Sequence, residues 1–421
     1  MKPPPFPPFR PDFWRSPLRG PWLTTVLGTL LLGGVTVVAL TGFLSHAAYE
    51  PGIGANGIVD PARDLPFGIG WPASPAWLYG LTQGLHVNVG LVAVPLLLAK
   101  LWSVIPRLFA WPPVASPAQA IERASIALLV SSAVFEFATG IINAQNYYPF
   151  GFSFVVAHYY GAVVFVASLA AHIVVKLPVM LRAYRERGVL MPLREDLAAT
   201  RPEPPDPDGL VARDPAPPTI TRRGLLGFVG AGSAVLLLAN VGETIGGPLR
   251  RLALLAPRGG DPGPGPNGFQ VNKTAVGAGV KPAMTGDGYR LVLRSGDREL
   301  RLSRAELLAM EQRTEELPIA CVEGWTTTQR WTGVPLASLA ELAGAAAASE
   351  LLVESLQARG SFRQATLTPV QFDNERSLLA LKVNGADLSM DHGYPARVIV
   401  PALPGVHNTK WVGAMTFKGA A

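Results

Sequence analysis

Four of the six histidines in this 421-residue chain, His46, His86, His158 and His172, lie in or at the edge of long apolar runs. An ionisable side chain in such a run is expensive in hydrocarbon and is functional by default. His158 and His172 stand 14 residues apart. At 100° per residue that is about 40° short of four full helical turns, so both face one side of a helix, about 21 Å apart along its axis. Two stacked haems on one helix need that geometry. His86 lies about ten residues into its run and His158 about six into its own, from the same end, so the two could ligate one haem iron from opposite sides. The alternative for each lone histidine is a hydrogen-bonded packing residue or a proton carrier, and for His46 a loop residue is the better reading. The remaining candidate is Cys321, the single cysteine, which follows an apolar run and precedes a Gly-Trp turn. A thiolate there suits a soft metal. One thiol cannot build a zinc or iron–sulfur site by itself, so other ligands would come from a cofactor. The bland alternative is a buried, inert cysteine.

These residues need a membrane to hold them. Five apolar stretches, 22–44, 77–101, 124–143, 153–176 and 224–245, are long enough to cross a bilayer, which takes about 20 residues. Hydrophobic residues make up 49% of the chain and charged residues only 16%, where a soluble enzyme has about a quarter. The deficit is local to the apolar stretches, so this is a membrane protein with a soluble part. No cleavable signal peptide is evident. Basic residues gather at the N-terminus, between the second and third stretches, and after the fourth, where Arg182, Arg185, Arg187, Arg222 and Arg223 lie. The loop 46–76 holds only Arg63 and the loop 144–152 none. The positive-inside rule puts the N-terminus in the cytoplasm and everything after the fifth span outside. The net charge of +6 reflects these loops and forms no stripe beside aromatics, so nucleic acid is excluded as a partner.

The organisation expected is a cytoplasmic tail (1–21), a four-helix membrane domain (22–187), a disordered Pro-rich cytoplasmic linker (188–223), a fifth transmembrane helix (224–246), an external linker (247–268) and a mixed α and β soluble domain (269–421). Alternating runs at 289–294 and 397–400 predict strands; 303–311 and 335–348 predict helices. Thr221-Arg222-Arg223-Gly224-Leu225-Leu226 resembles an internal twin-arginine export signal, with two positive-inside arginines as the plain alternative.

The segments LTQGLHVNVG (81–90) and VAHYYGAVVFVASLAAHIVVK (156–176) resemble bacterial four-helix cytochromes b across 22–185. That resemblance implies b-type haem in a bacterial cytoplasmic membrane, one haem held by the second and fourth helices and a second by the first and fourth. The first helix has no histidine at its inner end to partner His172, so one haem is expected and the second is open. In the soluble part, CVEGW (321–325) with WTGVPL (331–336), MDHGYPARVIVP (390–401) and VHNTKWVG (406–413) resemble the sulfite oxidase family. The flank of the cysteine is closer to members like the periplasmic methionine sulfoxide reductase. The resemblance implies Cys321 as a molybdenum ligand beside a pterin dithiolene, His392 and Arg397 at the pterin or its phosphate, and Lys410 with the backbone around Asn408 closing the phosphate site. Asn272 is a weaker member of that pocket, and Arg330 an oxyanion-binding catalytic candidate. Guanidinium, ammonium and backbone N–H donors suit a phosphate.

The expectation is therefore oxygen-atom transfer outside the membrane to or from a small oxo-donor or oxo-acceptor, with electrons exchanged with quinone or quinol through haem. Two rivals are a cofactor-less binding or assembly protein of the same fold and a cytochrome serving a separate partner.

Overall fold

The computed structural model describes residues 4–49, 70–112, 114, 116–206, 209–257, 266–360 and 362–419. Arg63 and residues 258–265 of the expected external linker lie outside these residues. Five long helices come first: α1 (Pro21–Tyr49), α2 (Leu78–Leu108), α3 (Pro117–Ala144), α4 (Phe154–Arg187) and α5 (Arg222–Ile245). All five are long and apolar enough to cross a membrane. Each matches a predicted stretch but is longer. The 34 residues of α4 span about 51 Å, beyond the ~30 Å of a hydrocarbon core. Its last turns, with Arg182, Arg185 and Arg187, are therefore a polar extension of the span. His46 lies in the last turn of α1, not in a loop, because Ala47 and Ala48 continue the helix. Caps set the starts: Ser116 accepts from the Gln119 N–H ahead of Pro117, and Ser153 accepts from Val156.

The segment after α4 corrects the expectation of a disordered linker. Glu203 is buried and accepts from the backbone N–H of Trp22 at 3.0 Å, supplying an anion to the open N-terminus of α1. A Cβ at position 20 would come within 2.5 Å of the Glu203 carboxyl carbon, so any side chain there would displace that carboxylate. Arg222 is fully buried, bonded to Glu195 at 2.8 Å and to the Arg201 carbonyl at 2.8 Å. Composition signals disorder when nothing needs the charges; here helix ends need them.

From residue 275 the chain forms α6 (Ala275–Ala278), α7 (Pro282–Thr285), β1 (Leu291–Ser295), β2 (Arg298–Leu302), α8 (Arg304–Ala309), β3 (Arg313–Ala320), β4 (Thr326–Pro335) and α9 (Leu336–Leu342). Then follow β5 (Glu350–Ser355), β6 (Gln364–Leu367), α10 (Pro369–Phe372), β7 (Leu378–Val383), β8 (Ala386–Asp387), β9 (Arg397–Ile399) and β10 (Val412–Lys418). One sheet runs β2-β1-β10-β5-β6 and the other β3-β4-β7-β8 with β9 also on β7. Only β1 and β10 pair in parallel among these ladders. Gly333 marks a register shift between β4 and β7; a Cβ there would sit 2.1 Å from the Leu379 carbonyl oxygen. The expected helix 335–348 ends at Leu342, because the following alanines turn back at Gly344 with φ 72°.

The chain divides into two compact units, Met1–Ala39 with Val87–Leu238 and Leu40–His86 with Ala239–Ala421. This division departs from the expected boundary at residue 269. In the second unit, Ala48, Trp71 and Tyr79 are part of the same buried cluster as Leu291, Leu293, Leu351, Leu381 and Met415. Trp71 donates from its indole to the Ala402 carbonyl at 2.7 Å. Trp71, which falls in the expected connection between the first two apolar stretches, is thus part of the sheet domain's core.

Candidate metal and cofactor centre

Cys321 follows the last residue of β3 and opens a tight turn into β4. Its N–H donates to the Trp325 carbonyl at 2.9 Å, and Gly324, at φ 99°, returns an N–H to the Cys321 carbonyl at 3.0 Å. A residue with a side chain would strain that φ. The Trp325 indole donates to the buried Glu323 carboxylate at 3.0 Å. From the far side the Gly405 N–H donates to the Ala320 carbonyl at 2.8 Å. The turn is thus hydrogen-bonded at both ends, and Cys321 is 4% exposed.

The thiol opens on a small recess, with a cavity volume of about 10 Å³ and partly open to solvent, lined by Gln270, Asn272, Trp325, His392, Arg397 and Lys410, with Phe269, Ile319 and Gly405. Five predicted residues from four separate segments meet here: Cys321, Asn272, His392, Arg397 and Lys410. Two others do not. Asn408 is buried nearby in sequence, its Oδ1 accepting from the Val400 N–H at 2.8 Å, but it does not line the recess. Arg330 is exposed on β4, its backbone N–H on Asn384 Oδ1 at 3.2 Å. It does not line the recess, so the oxyanion-binding role expected of it finds no support there.

The electrostatics of the recess favour an anion. Arg397 is buried, and among the described residues no carboxylate pairs with it. One N–H donates to the His392 carbonyl at 3.3 Å, the guanidinium lies 5.6 Å from the Trp331 ring centroid, and Nε has no hydrogen-bond partner. Burial lowers its pKa to about 9. A buried charge without a counterion is costly. The Gln270 amide nitrogen is likewise buried and unmet. Lys410 donates to Asn272 Oδ1 at 2.9 Å and to the Asp391 and Lys273 carbonyls at 2.8 and 3.0 Å. His392 stacks on Phe269, centroids 3.7 Å apart, and its Nε2 donates to the Gln270 carbonyl at 3.1 Å. Burial pushes it down to about 4, so the ring is neutral and the positive pole is Arg397 with Lys410. Among the described residues no cluster of three or more His, Cys, Asp or Glu could hold a metal. The donor set here is one sulfur plus cationic and amide donors, which fits an anionic, sulfur-bearing cofactor that brings its own metal ligands.

Sequence reasoning missed Gln270, Phe269 and Trp325 as lining residues. Position next to Asn272 and Cys321 was the available signal for them.

His86, His158 and His172 lie on the long helices α2 and α4. The His86 ring packs on Gly42, where a Cβ would come within 2.7 Å of it. His158 faces Gly140 on α3, at 3.2 Å for such a Cβ. Its Nδ1 meets Thr139 Oγ1 at 2.9 Å and Glu136 Oε2 at 3.2 Å. His172 lies on α4.

Residues 278–420 match the family described as oxidoreductase molybdopterin binding domain. Mitochondrial sulfite oxidase of Mus musculus is 30% identical over 132 residues, 30% of this chain and 22% of that protein. The uncharacterized oxidoreductase YuiH of Bacillus subtilis (strain 168) is 31% identical over 123 residues, 29% of this chain and 60% of that protein. Among solved structures, the sulfane dehydrogenase SoxCD from Paracoccus pantotrophus is 24% identical, with coverage of 31% of this chain and 38% of that one and a TM-score of 0.29. The chain spans less than two thirds of the length of each of these relatives. The family match covers the C-terminal third of the chain.

Proposed function

We propose that this chain is a membrane-anchored molybdopterin-dependent oxidoreductase that performs oxygen-atom transfer outside the bacterial cytoplasmic membrane and exchanges electrons with the quinone pool through b-type haem. The observation that carries the reading is the meeting of the Cys321 thiol and the unpaired, buried Arg397 in one recess. In the reductive direction, an oxo-donor XO takes two electrons and two protons to give X and water, and quinol supplies the electrons. When bound, the molybdenum cofactor supplies the centre that accepts or gives the oxygen atom.

The chain's own residues do the holding. Cys321 gives a thiolate to the metal from a turn fixed at both ends. Arg397 and Lys410 hold the cofactor's anionic end, with the Asn272 and Gln270 amides beside them. His392, neutral and stacked, closes the wall without adding charge. No role at the reacting atoms is assigned to Arg330. The cofactor-less alternative leaves Arg397 buried without a counterion.

Haem ligation by His86 and His158 draws on the glycine against which each ring packs, a close approach that a side chain would disturb. It is also supported by the Thr139 and Glu136 contacts that orient His158, as outer partners orient metal-bound imidazoles. His172 is the candidate for a second haem. The topology draws on the basic loops, and on the core position of Trp71 and Tyr79. That position suits a domain emerging on the same face as the α1–α2 connection.

The test is elemental analysis with a haem difference spectrum on the purified full-length chain. About one molybdenum per chain and a sharp reduced α-band, lost in His86→Ala or His158→Ala, are expected. Protein made with cofactor synthesis intact yet containing no molybdenum overturns the enzyme reading.

A further inference from the structure

The Cys321 turn is gripped by two side chains from the helices read as membrane spans. Gln83 of α2 donates its amide to the Val322 carbonyl at 2.6 Å. Thr244 of α5 donates its hydroxyl to the Gly324 carbonyl at 2.8 Å. Both bonds fall inside the five-residue segment that carries the thiol. The approach is built into α2. Gly80 and Gly84 lie four residues apart, on one helical face. A Cβ at Gly80 would reach 3.2 Å from Thr326 Oγ1 and 3.6 Å from the Ala320 Cβ, and one at Gly84 would reach 2.4 Å from Thr244 Cγ2. Gln83 is 9% exposed, and Tyr79, one turn earlier, is buried against the same sheet. A polar amide near the end of a span has a hydrogen-bonding requirement, and here the metal-binding turn meets it.

His86 follows Gln83 by three residues, about 4.5 Å along the helix. One turn of α2 therefore carries a proposed haem ligand at one end and the donor to the Cys321 turn at the other. We infer that Gln83 and Thr244 are positioning residues that fix the Cys321 sulfur, and that the Gln83–Val322 hydrogen bond is the bridge coupling the Cys321 turn to the helical turn bearing His86. The inference rests on the function proposed above. Two electrons cross for each oxygen atom released as water, one at a time because a haem iron carries one. Quinol is the donor, and neither side chain changes its own oxidation state. A hydrogen-bonded contact through two short bonds couples the ends more strongly than a gap does, and it sets the angle at which the thiolate leaves the turn.

The test uses the full-length protein in detergent. Gln83→Leu and Thr244→Val, singly and together, remove the donors with little change in volume, and Thr244→Ser keeps the hydroxyl. Three quantities are read: molybdenum and haem per chain, the electron paramagnetic resonance spectrum of the one-electron-reduced metal, and the rate of electron redistribution between the centres after flash photoreduction with a flavin. With both cofactors retained, the double variant is expected to show a shifted metal spectrum and redistribution at least tenfold slower, while Thr244→Ser behaves as wild type. Loss of molybdenum in Thr244→Val with retention in Thr244→Ser supports the positioning role as well. A double variant with unshifted spectrum and wild-type rate overturns the bridge while leaving the proposed function standing. Equal losses in Thr244→Val and Thr244→Ser overturn the role of the hydroxyl. Wild-type protein without haem or molybdenum sinks the underlying reading, and that result is visible before any variant is made.

Discussion

Arg397 is the residue whose energetics are least at ease in the folded chain. Its guanidinium is buried, partly satisfied by one carbonyl and an aromatic face, and its Nε is unmet. Arg397→Met removes that charge and keeps most of the volume. The cofactor-free variant is expected to be as stable as the parent or more stable, by on the order of 1–3 kcal/mol. It is also expected to lose most of its bound molybdenum, since hydrogen bonds to a charged group contribute about 1.5–3 kcal/mol each. Denaturant unfolding beside metal analysis separates the two effects; a variant that is destabilised yet keeps its metal contradicts the assignment. His407 gives a pH prediction. It is buried, donates from Nε2 to the Tyr49 carbonyl at 2.8 Å, and burial lowers it from 6.5 to about 4. Below pH 6.5 the unfolded chain binds a proton that the folded chain refuses until about pH 4. Stability is therefore full above 6.5 and falls through that window, by roughly 2 kcal/mol for this one group between pH 7 and 5. His392, lowered in the same direction and to a similar value, adds to the loss. Urea midpoints at the two pH values should fall on acidification, and less steeply in His407→Gln.

At the scale of elements, the two sheets owe their registers to a few close approaches. β4 and β7 shift register at Gly333, where the opposing Leu379 carbonyl leaves no room for a methyl group. Gly333→Ala is expected to cost on the order of 3 kcal/mol through forced separation of the strands, seen as a lower melting temperature of the soluble part. A neutral effect would mean that the strands relax freely. The glycine opposite His86 has a comparable place between α1 and α2. Gly42→Ala is expected to displace the imidazole and to weaken or shift the reduced α-band, read in the difference spectrum of membranes. The long helices also explain why the connecting segment 188–206 is ordered. The amide groups opening α1 take the Glu203 carboxylate, and Arg222, at the first position of α5, takes Glu195.

For the whole molecule, the compact units do not follow the expected boundaries. Residues 40–86 cluster with 239–421, and Trp71 and Tyr79 sit in the core of the sheet domain. Burying each such side chain contributes about 1.5–3 kcal/mol. A truncated chain of residues 269–421 is therefore expected to be several kcal/mol less stable than the same domain in the full protein. Limited proteolysis in parallel, with faster cleavage of the truncated form, checks this. Equal resistance would show that the aromatic residues are passengers.

Five apolar stretches of about the right length and the charge asymmetry of their loops were legible from residue types and spacing alone, while the three motifs around residues 321, 392 and 410 were legible through their resemblance to the sulfite oxidase family. The reason is physical: hydrocarbon demands about 20 apolar residues in a row, and a soft metal or an anion demands particular donors. The convergence of Cys321, Asn272, His392, Arg397 and Lys410 on one recess, the exposure of Arg330, and the grip of Gln83 and Thr244 on the Cys321 turn belong to the tertiary structure. They depend on strand register and on contacts between segments far apart in sequence, 80 and 239 residues for the Thr244 and Gln83 bonds, and no local pattern encodes either.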